Sequence, residues 1–272
     1  MPKPMEWIVL AAAITLGVNA FAWLAQDRLI YFPQPLAATA HLPAGAESIE
    51  IASADGTRLR GWLRPAGSAP APLLVYFGGN AEEVSWTLAD TRWPHDWHVA
   101  AVNYRGYGAS EGRPSESSLL DDALAIHDAL AARPDVDARR IVAVGRSLGT
   151  GPAVRLAATR PIAGAILISP YDSLVELGRT HYPWLAVSWL LRHRFDASAD
   201  ARAARVPMLA IVGTADAIIP PQRSLALFEA WAGAGTWLAV PGADHDSLGD
   251  TASAWGAMSA FLADRARSSI AP

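Results

Sequence analysis

Short apolar runs alternate with amphipathic stretches through most of the chain, and this alternation limits the folds open to it. Six runs of four or five residues have the length and composition of buried parallel strands, at residues 73–77, 99–103, 141–144, 165–168, 208–212 and 237–240. Amphipathic, helix-like patterns occur at residues 115–132, 148–159, 220–232 and 251–267. Repeated strand–helix units of this kind predict a doubly wound α/β sheet with helices on both faces.

Two further strands precede this alternation. Residues 48–51 and 58–63 flank an Asp55-Gly56 pair, and Asp-Gly between two extended segments is a strong β-hairpin signal. The sequence therefore predicts a mostly parallel sheet of about eight strands with an antiparallel N-terminal hairpin. This domain is expected to cover residues 47–272, after an Ala/Pro/Gly-rich linker at residues 31–46.

The N-terminal 30 residues are predicted to form a membrane anchor. No charged side chain occurs from Trp7 to Gln26, and these 20 residues are long enough as a helix to cross a bilayer. Trp7 and Trp23 lie near the two ends, where interfacial aromatic residues are expected. A cleaved signal peptide is the alternative, but the apolar run continues beyond the small-residue site Ala20–Ala22. A buried core helix is a further alternative.

The flanking charges nearly balance and leave the orientation of this anchor open, with a periplasmic or other extracytoplasmic domain favoured. The composition also excludes several classes of function. The chain has no cysteine, which excludes disulfides, thiolate metal sites and a cysteine nucleophile. The net charge is −4 without a basic stripe, so a nucleic-acid partner is not expected. No histidine has the spacing of a metal motif such as H-E-x-x-H, and neither a metal nor another cofactor is predicted.

The pentapeptide Gly145 to Gly149, with the sequence GRSLG, lies between a predicted strand and a predicted helix. A G-x-S-x-G sequence in this context is typical of a nucleophile elbow, a strained turn that lifts a serine hydroxyl above the sheet edge. The glycines are needed because the helix and a neighbouring strand crowd the turn. A Gly/Ser turn without a catalytic role is the alternative, since so short a pattern also arises by chance.

A serine nucleophile needs a base, and the base needs a group that fixes its tautomer. Asp216 follows the fifth of the six predicted parallel strands, and His245 follows the last one. Both should therefore lie at the same sheet edge as Ser147, in the chain order of a Ser-Asp-His triad. Asp216 as a helix cap is one alternative. Asp244 or Asp246 as the partner of His245 is another, although a sequence neighbour seldom reaches the imidazole in the required line.

An oxyanion hole for this serine requires two backbone N–H groups. The N–H of Leu148, directly after the nucleophile, is the expected first donor. The loop after the first parallel strand is expected to supply the second, with Asn80 as first choice and Gly79 as second. A helix is expected to begin near Ala81, and the glycines of this loop are alternatively only a tight turn into it.

The segment at about residues 172–200 interrupts the strand–helix alternation and predicts a small helical lid over the carboxyl edge of the sheet. Trp184, Trp189 and Leu190 are predicted to line an apolar substrate pocket or to touch the membrane. A peripheral helix packed on the core is the alternative interpretation.

Five segments resemble motifs of the α/β-hydrolase superfamily, and most closely of its Bem46-like branch: residues 31–35 (YFPQP), 103–116 (NYRGYGASEGRPSE), 145–149 (GRSLG), 170–174 (PYDSL) and 213–220 (GTADAIIP). The resemblance covers nearly the whole chain. It implies Ser147 as nucleophile, Asp216 as acid and His245 as base. The chain departs from the family pattern at Gly78, where histidine is common, and at Asp246, where asparagine is common.

Together these features predict a membrane-anchored serine hydrolase that cleaves carboxylic esters or thioesters with an acyl or lipid-like group. The expected partners are a small ester or acylated molecule and membrane lipid. A serine peptidase or amidase of the same fold is the alternative within the enzymes. A non-catalytic, membrane-anchored interaction protein is the alternative outside them, although such proteins usually lose a triad residue.

Overall fold

The computed structural model describes residues 3–36 and 42–267 of the chain, so the middle of the predicted linker, residues 37–41, lies outside the described residues. Eight strands form one sheet: β1 (Glu47–Ala52), β2 (Arg58–Arg64), β3 (Ala71–Phe77), β4 (His98–Val102), β5 (Val136–Arg146), β6 (Gly164–Ile168), β7 (Met208–Gly213) and β8 (Gly235–Val240). The spatial order is β1-β2-β4-β3-β5-β6-β7-β8. β2 runs antiparallel to β1 and β4, and all other neighbours are parallel. This confirms the predicted sheet and its N-terminal hairpin.

Burial agrees with the predicted buried strands except at β8, which lies at the edge of the sheet and in which only Val240 is buried. β3, β4, β6 and β7 are buried along their whole length, as expected for parallel strands covered on both faces. β5 is longer than its apolar run predicted, because it begins at Val136 with a polar, partly exposed stretch. Ala71 of β3 pairs with Val136, and a register shift follows between Ala71 and Leu73.

The helices are α1 (Pro4–Ile30), α2 (Trp86–Ala89), α3 (Glu116–Ala131), α4 (Thr150–Thr159), α5 (Leu174–His181), α6 (Val187–Leu190), α7 (Ala197–Ala201), α8 (Pro221–Ala230) and α9 (Ala252–Arg267). Short 3₁₀ turns cover Ser147–Gly149 and Leu248–Asp250. The helix expected near Ala81 begins only at Trp86. Ala81 has a left-handed φ of 57°, and the Val84 N–H donates to the Asn103 side chain at 3.2 Å instead of entering a helix.

Two apolar layers cover the two faces of the sheet, and β3 contributes to both by alternation. Leu73, Val75 and Phe77 face the layer that contains α3, α4 and α8. Leu74 and Tyr76 face the layer that contains α2 and α9. Because neighbouring parallel strands end at the same edge of a sheet, the loops after β3, β5, β6, β7 and β8 meet at one edge.

α1 lies outside this core. Its 27 residues have a mean hydropathy of 2.0 in the most apolar window, none of which is buried, and Gln26 is the one buried residue of the helix. This contradicts a buried core helix. By length and composition α1 is able to cross a membrane, and a signal sequence would pass the same test.

The start of the predicted linker is packed against the domain. Tyr31 is buried, and its ring makes an edge contact with His193 at a centroid distance of 5.2 Å. Pro35 forms a parallel bridge with Gly108, whose N–H donates to the Gln34 carbonyl at 2.7 Å. α1 is thus joined to the domain without a free spacer between Tyr31 and Pro35.

Candidate active site

Ser147 lies in a strained turn between β5 and α4. Its φ is 52°, in the left-handed region that a residue with a side chain rarely adopts. A Cβ on Gly145 would lie 2.5 Å from the Gly149 carbonyl oxygen. A Cβ on Gly149 would lie 2.1 Å from the Phe77 carbonyl oxygen of β3. Both flanking glycines are therefore required by close approach of the turn to its own helix and to the neighbouring strand.

Three loops bring the predicted acid, base and nucleophile together. The distance from His245 Nε2 to Ser147 Oγ is 3.0 Å, and that from His245 Nδ1 to Asp216 Oδ2 is 2.9 Å. Asp216 follows β7 and His245 follows β8, so each side chain comes from the loop that its strand position predicts. The first distance is within reach for proton transfer from a serine to a general base, and the second is that of a hydrogen bond able to orient the imidazole.

Asp216 is surrounded by donors. It is 4% exposed, and its Oδ1 accepts hydrogen bonds from the Ile218 and Ile219 N–H groups at 2.9 and 2.8 Å. Its Oδ2 accepts from the Ser169 hydroxyl at 2.8 Å, besides facing His245. Burial raises the pKa of Asp216, but the hydrogen bonds from His245, Ile219 and Ser169 outweigh it and bring the pKa below its ordinary value. The carboxylate therefore stays ionised beside the imidazole.

The structure separates the alternatives for the acid. α8 begins at Pro221, with Pro220 as its N-terminal cap, so Asp216 bonds to loop amides and does not cap that helix. Asp244 accepts hydrogen bonds from the Ser247 N–H and hydroxyl at 2.8 and 2.6 Å. The side chain of Asp246 is 95% exposed and lies 3.8 Å from Arg146. Of the three carboxylates, Asp216 is the one that contacts His245.

Ser169 is a site residue that the sequence reasoning missed. It follows β6, has a φ of 49° and is 2% exposed, and its hydroxyl donates to Asp216. A serine directly before a proline, at the carboxyl end of a buried strand, was the available signal.

Glu82 is a second residue that was missed, and it organises the loop after β3. Its Oε1 accepts from the Tyr76 hydroxyl at 2.8 Å and from the Trp86 indole N–H at 3.1 Å. Its Oε2 accepts from the Gly79 N–H at 2.6 Å and from Arg146 at 3.2 Å. Burial raises the pKa of Tyr76, so its phenol stays protonated and able to donate.

These bonds distinguish the candidate oxyanion donors. The Gly79 N–H is already occupied by Glu82, which leaves it no free hydrogen for a substrate. Within residues 3–36 and 42–267, the N–H groups of Asn80 and Leu148 have no protein acceptor. The loop lies against the elbow, because a Cβ on Gly149 would also be 2.5 Å from the Gly78 carbonyl oxygen.

The lid residues are not gathered into an enclosed pocket. Trp189 is 92% exposed and Trp184 is 67% exposed. Of the two predicted roles, contact with a membrane fits this exposure better than the wall of an enclosed pocket, and both roles stay predictions. Leu190 is partly buried, and its carbonyl accepts a hydrogen bond from Gln26 of α1 at 3.2 Å. The lid thus contacts the membrane-helix candidate, and its two tryptophans face outward.

Comparisons with known proteins identify the fold and the family of the chain. A family model for the alpha/beta hydrolase fold matches residues 72–199. An uncharacterized protein of Mycobacterium tuberculosis is 38% identical over 252 residues, covering 90% of this chain and 89% of the relative. Bem46 of Schizosaccharomyces pombe is 28% identical over 233 residues, covering 79% of this chain and 78% of its own.

A solved esterase of Pyrococcus furiosus shares the fold, with a TM-score of 0.68 at 17% identity, covering 86% of this chain and 99% of the esterase chain. The match to the mycobacterial relative extends over nearly all of the described domain. The sheet, the turn around Ser147 and the order of the loops are those expected for the α/β-hydrolase superfamily. This chain therefore belongs to the Bem46-like branch of the α/β-hydrolase superfamily.

Proposed function

We propose that this α/β hydrolase is a membrane-anchored serine esterase or thioesterase that removes an acyl or lipid-like group. The observation that carries the proposal is the continuous chain from Ser147 Oγ through His245 to the buried Asp216, with contacts of 3.0 and 2.9 Å. The left-handed φ of Ser147 supports it, because backbone strain is tolerated where it positions a reacting group.

In the acylation step, Ser147 Oγ attacks the carbonyl carbon of the substrate while its proton passes to His245 Nε2. The Asp216 carboxylate accepts the hydrogen bond from His245 Nδ1, which fixes the tautomer and stabilises the imidazolium. The oxygen of the tetrahedral intermediate takes up the negative charge and accepts hydrogen bonds from the N–H groups of Leu148 and Asn80.

Collapse of this intermediate breaks the ester or thioester bond. The departing alcohol or thiol takes the proton from His245, and the acyl group stays on Ser147. A water molecule then gives a proton to His245 and attacks the carbonyl carbon of the acyl-enzyme. Collapse of this second tetrahedral intermediate breaks the bond to Ser147 Oγ, which takes the proton back from His245 as the carboxylic acid leaves. The residues of this chain and water account for every bond made and broken.

The lid and α1 support a substrate at the membrane surface. The lid runs along the C-terminal part of α1, since the Ala186 N–H donates to Asn19 at 3.4 Å and Gln26 bonds to Leu190. The nearby side chains of Trp184 and Trp189 point outward, and tryptophan favours the boundary between headgroups and hydrocarbon. A lid in this position would present Ser147 to acylated molecules in the bilayer.

Labelling with a fluorophosphonate probe tests the proposal on the full chain in detergent. Wild type should label covalently, and Ser147→Ala should not. Ser117→Ala, an exposed serine on α3, is the matched control and should label like wild type. A wild type that does not label, or equal labelling of Ser147→Ala, would contradict a serine hydrolase.

The substrate class is tested with nitrophenyl esters of increasing acyl length and with matched anilides. Turnover that rises with chain length is expected for a lipid-like substrate. Turnover that falls with chain length would contradict it, and faster cleavage of the anilides would favour an amidase.

A further inference from the structure

The end of α1 is fixed to the domain by a set of polar contacts. Gln26 is 4% exposed, donates to the Leu190 carbonyl at 3.2 Å and accepts from the Arg192 N–H at 2.7 Å. Asp27 accepts from the Arg192 guanidinium and lies 2.9 Å from His193 Nε2. A tether that served only to hold the protein at a membrane would need none of these bonds.

The last turn of α1 also reaches the loop after β3. The side-chain amide of Asn80 donates to the Ile30 carbonyl at 2.5 Å, and Asn80 Oδ1 accepts from the Phe32 N–H at 3.0 Å. The Ile30 carbonyl is one of those that a helix leaves unpaired at its C-terminus. The Tyr107 hydroxyl is 2.8 Å from the same Oδ1 and 3.1 Å from the Phe32 nitrogen, which closes a triangle of bonds.

Asn80 therefore connects two parts of the molecule. Its side chain is held by the end of α1, and its backbone N–H is the proposed second oxyanion donor. On the other side of the loop, Gly79 is held by Glu82. The next residue, Ala81, has a left-handed φ of 57°, so this loop needs fixed neighbours to keep its conformation.

We infer that the Asn80 side chain is a positioning residue through which the C-terminal end of α1 holds the oxyanion loop in its active conformation. The inference rests on the proposed function, because it concerns the donor to the oxyanion. It makes α1 a part of the active site as well as an anchor: displacement of the end of α1 lowers turnover while Ser147, Asp216 and His245 keep their contacts.

The test compares Asn80→Ala with wild type on the full chain in detergent. The alanine keeps the backbone N–H, so an effect reports its position. We expect kcat to fall by about 10²-fold, near the lower range for loss of an oxyanion donor, with KM changed much less. Hydrogen exchange of the backbone amides at residues 78–82 should accelerate in the same variant.

Two further variants make the result specific. Tyr107→Phe removes one hydroxyl from the triangle and should lower kcat less than Asn80→Ala does, which keeps the proposal testable if the latter folds poorly. Thr15→Ala removes a hydroxyl from an exposed position of α1 about four turns before Ile30 and should keep the kcat of wild type.

The outcomes separate the two proposals. If wild type labels with fluorophosphonate but Asn80→Ala and Tyr107→Phe keep its kcat and amide exchange, the positioning role is wrong and the serine hydrolase stands. If KM rises while kcat is unchanged, the side chain binds substrate and the positioning role is wrong. If wild type neither labels nor cleaves any ester, the proposed function fails and this inference fails with it.

Discussion

The carboxyl edge of the sheet and the lid beside α1 are built in opposite ways. At the edge, Asp216 is nearly inaccessible and each of its oxygens has two hydrogen-bonding neighbours. In the lid, α6 has only four residues, and Trp189 is 92% exposed. One region satisfies its polar groups inside the protein, and the other leaves apolar surface without a partner.

This difference indicates where each region completes its interactions. The buried Asp216 carboxylate has all its hydrogen bonds within the protein. A carboxylate held in this way can fix the orientation of the imidazole beside it. The exposed aromatic side chains beside the apolar helix α1 are not covered by protein. A lipid bilayer would cover them. If the proposed function is right, substitutions at the edge should alter the chemical step, and substitutions in the lid should alter access to the proposed membrane substrates.

Removal of the charge at Asp216 should have the largest effect. Asp216→Asn keeps the size of the side chain but loses the acceptor that holds the His245 tautomer, and kcat should fall by about 10⁴-fold. Ester hydrolysis by the full chain in detergent measures this. Asp246→Asn is the matched control, since the side chain of Asp246 is 95% exposed and does not contact the imidazole. Comparable losses in both variants would contradict the assignment of Asp216.

Replacing a glycine by alanine should destabilise the protein at the nucleophile elbow but not on an open helix surface. Gly149→Ala places a Cβ 2.1 Å from a backbone oxygen of β3, which no rotamer change relieves, and should destabilise the fold by about 3 kcal/mol or more. Gly256→Ala on α9 has no atom within 4 Å of the new Cβ and should stabilise by about 1 kcal/mol. Denaturant unfolding measures both. A Gly149→Ala chain with the stability of wild type would show that the turn is not as crowded as described.

The sequence was sufficient to predict the fold and the meeting of Ser147, Asp216 and His245. Each of these residues follows a parallel strand with an apolar run, and such runs reveal strands without knowledge of the tertiary structure. The runs of β5 and β7 are buried, whereas β8, before His245, is an edge strand in which only Val240 is buried. Parallel strands end at one edge, so chain order alone brings the three loops together. Two element boundaries were not predicted: the polar start of β5 and the delayed start of α2. Tertiary hydrogen bonds decide where these elements begin.

Contacts between distant side chains were beyond the sequence. Asn80 contacts Ile30 across 50 residues, and Ser169 contacts Asp216 across 47. Nothing in the local pattern of an asparagine or a serine specifies such a partner, because the partner depends on how the loops pack. The exposure of Trp189 was hidden for a related reason: an apolar residue in a sequence does not state whether protein or lipid will cover it.

Acidic pH should lower the free energy of unfolding by protonating Asp216 at the carboxyl edge of the sheet. Its pKa in the folded protein lies below the ordinary value, so its ionised form contributes stability above the unfolded pKa of about 3.9. That contribution is lost as the pH falls through the folded pKa. The free energy of unfolding of wild type should therefore exceed that of Asp216→Asn at pH 6, and the difference should shrink below about pH 4. A difference that stays constant or grows toward low pH would contradict the depressed pKa.

The smallest effect on chemistry is expected in the lid. Trp189→Ser removes an exposed ring and should change stability by no more than about 0.5 kcal/mol. In vesicles that contain the full chain, it should lower the hydrolysis of long-chain esters in the bilayer a few-fold and leave a short, soluble ester unaffected. Leu225→Ser, an apolar residue of α8 that is 43% exposed, is the control and should affect neither substrate. Equal losses on both esters would instead indicate that Trp189 lines the substrate pocket. A pocket residue contacts every substrate, whereas a membrane-facing residue affects only those that reach Ser147 from the lipid.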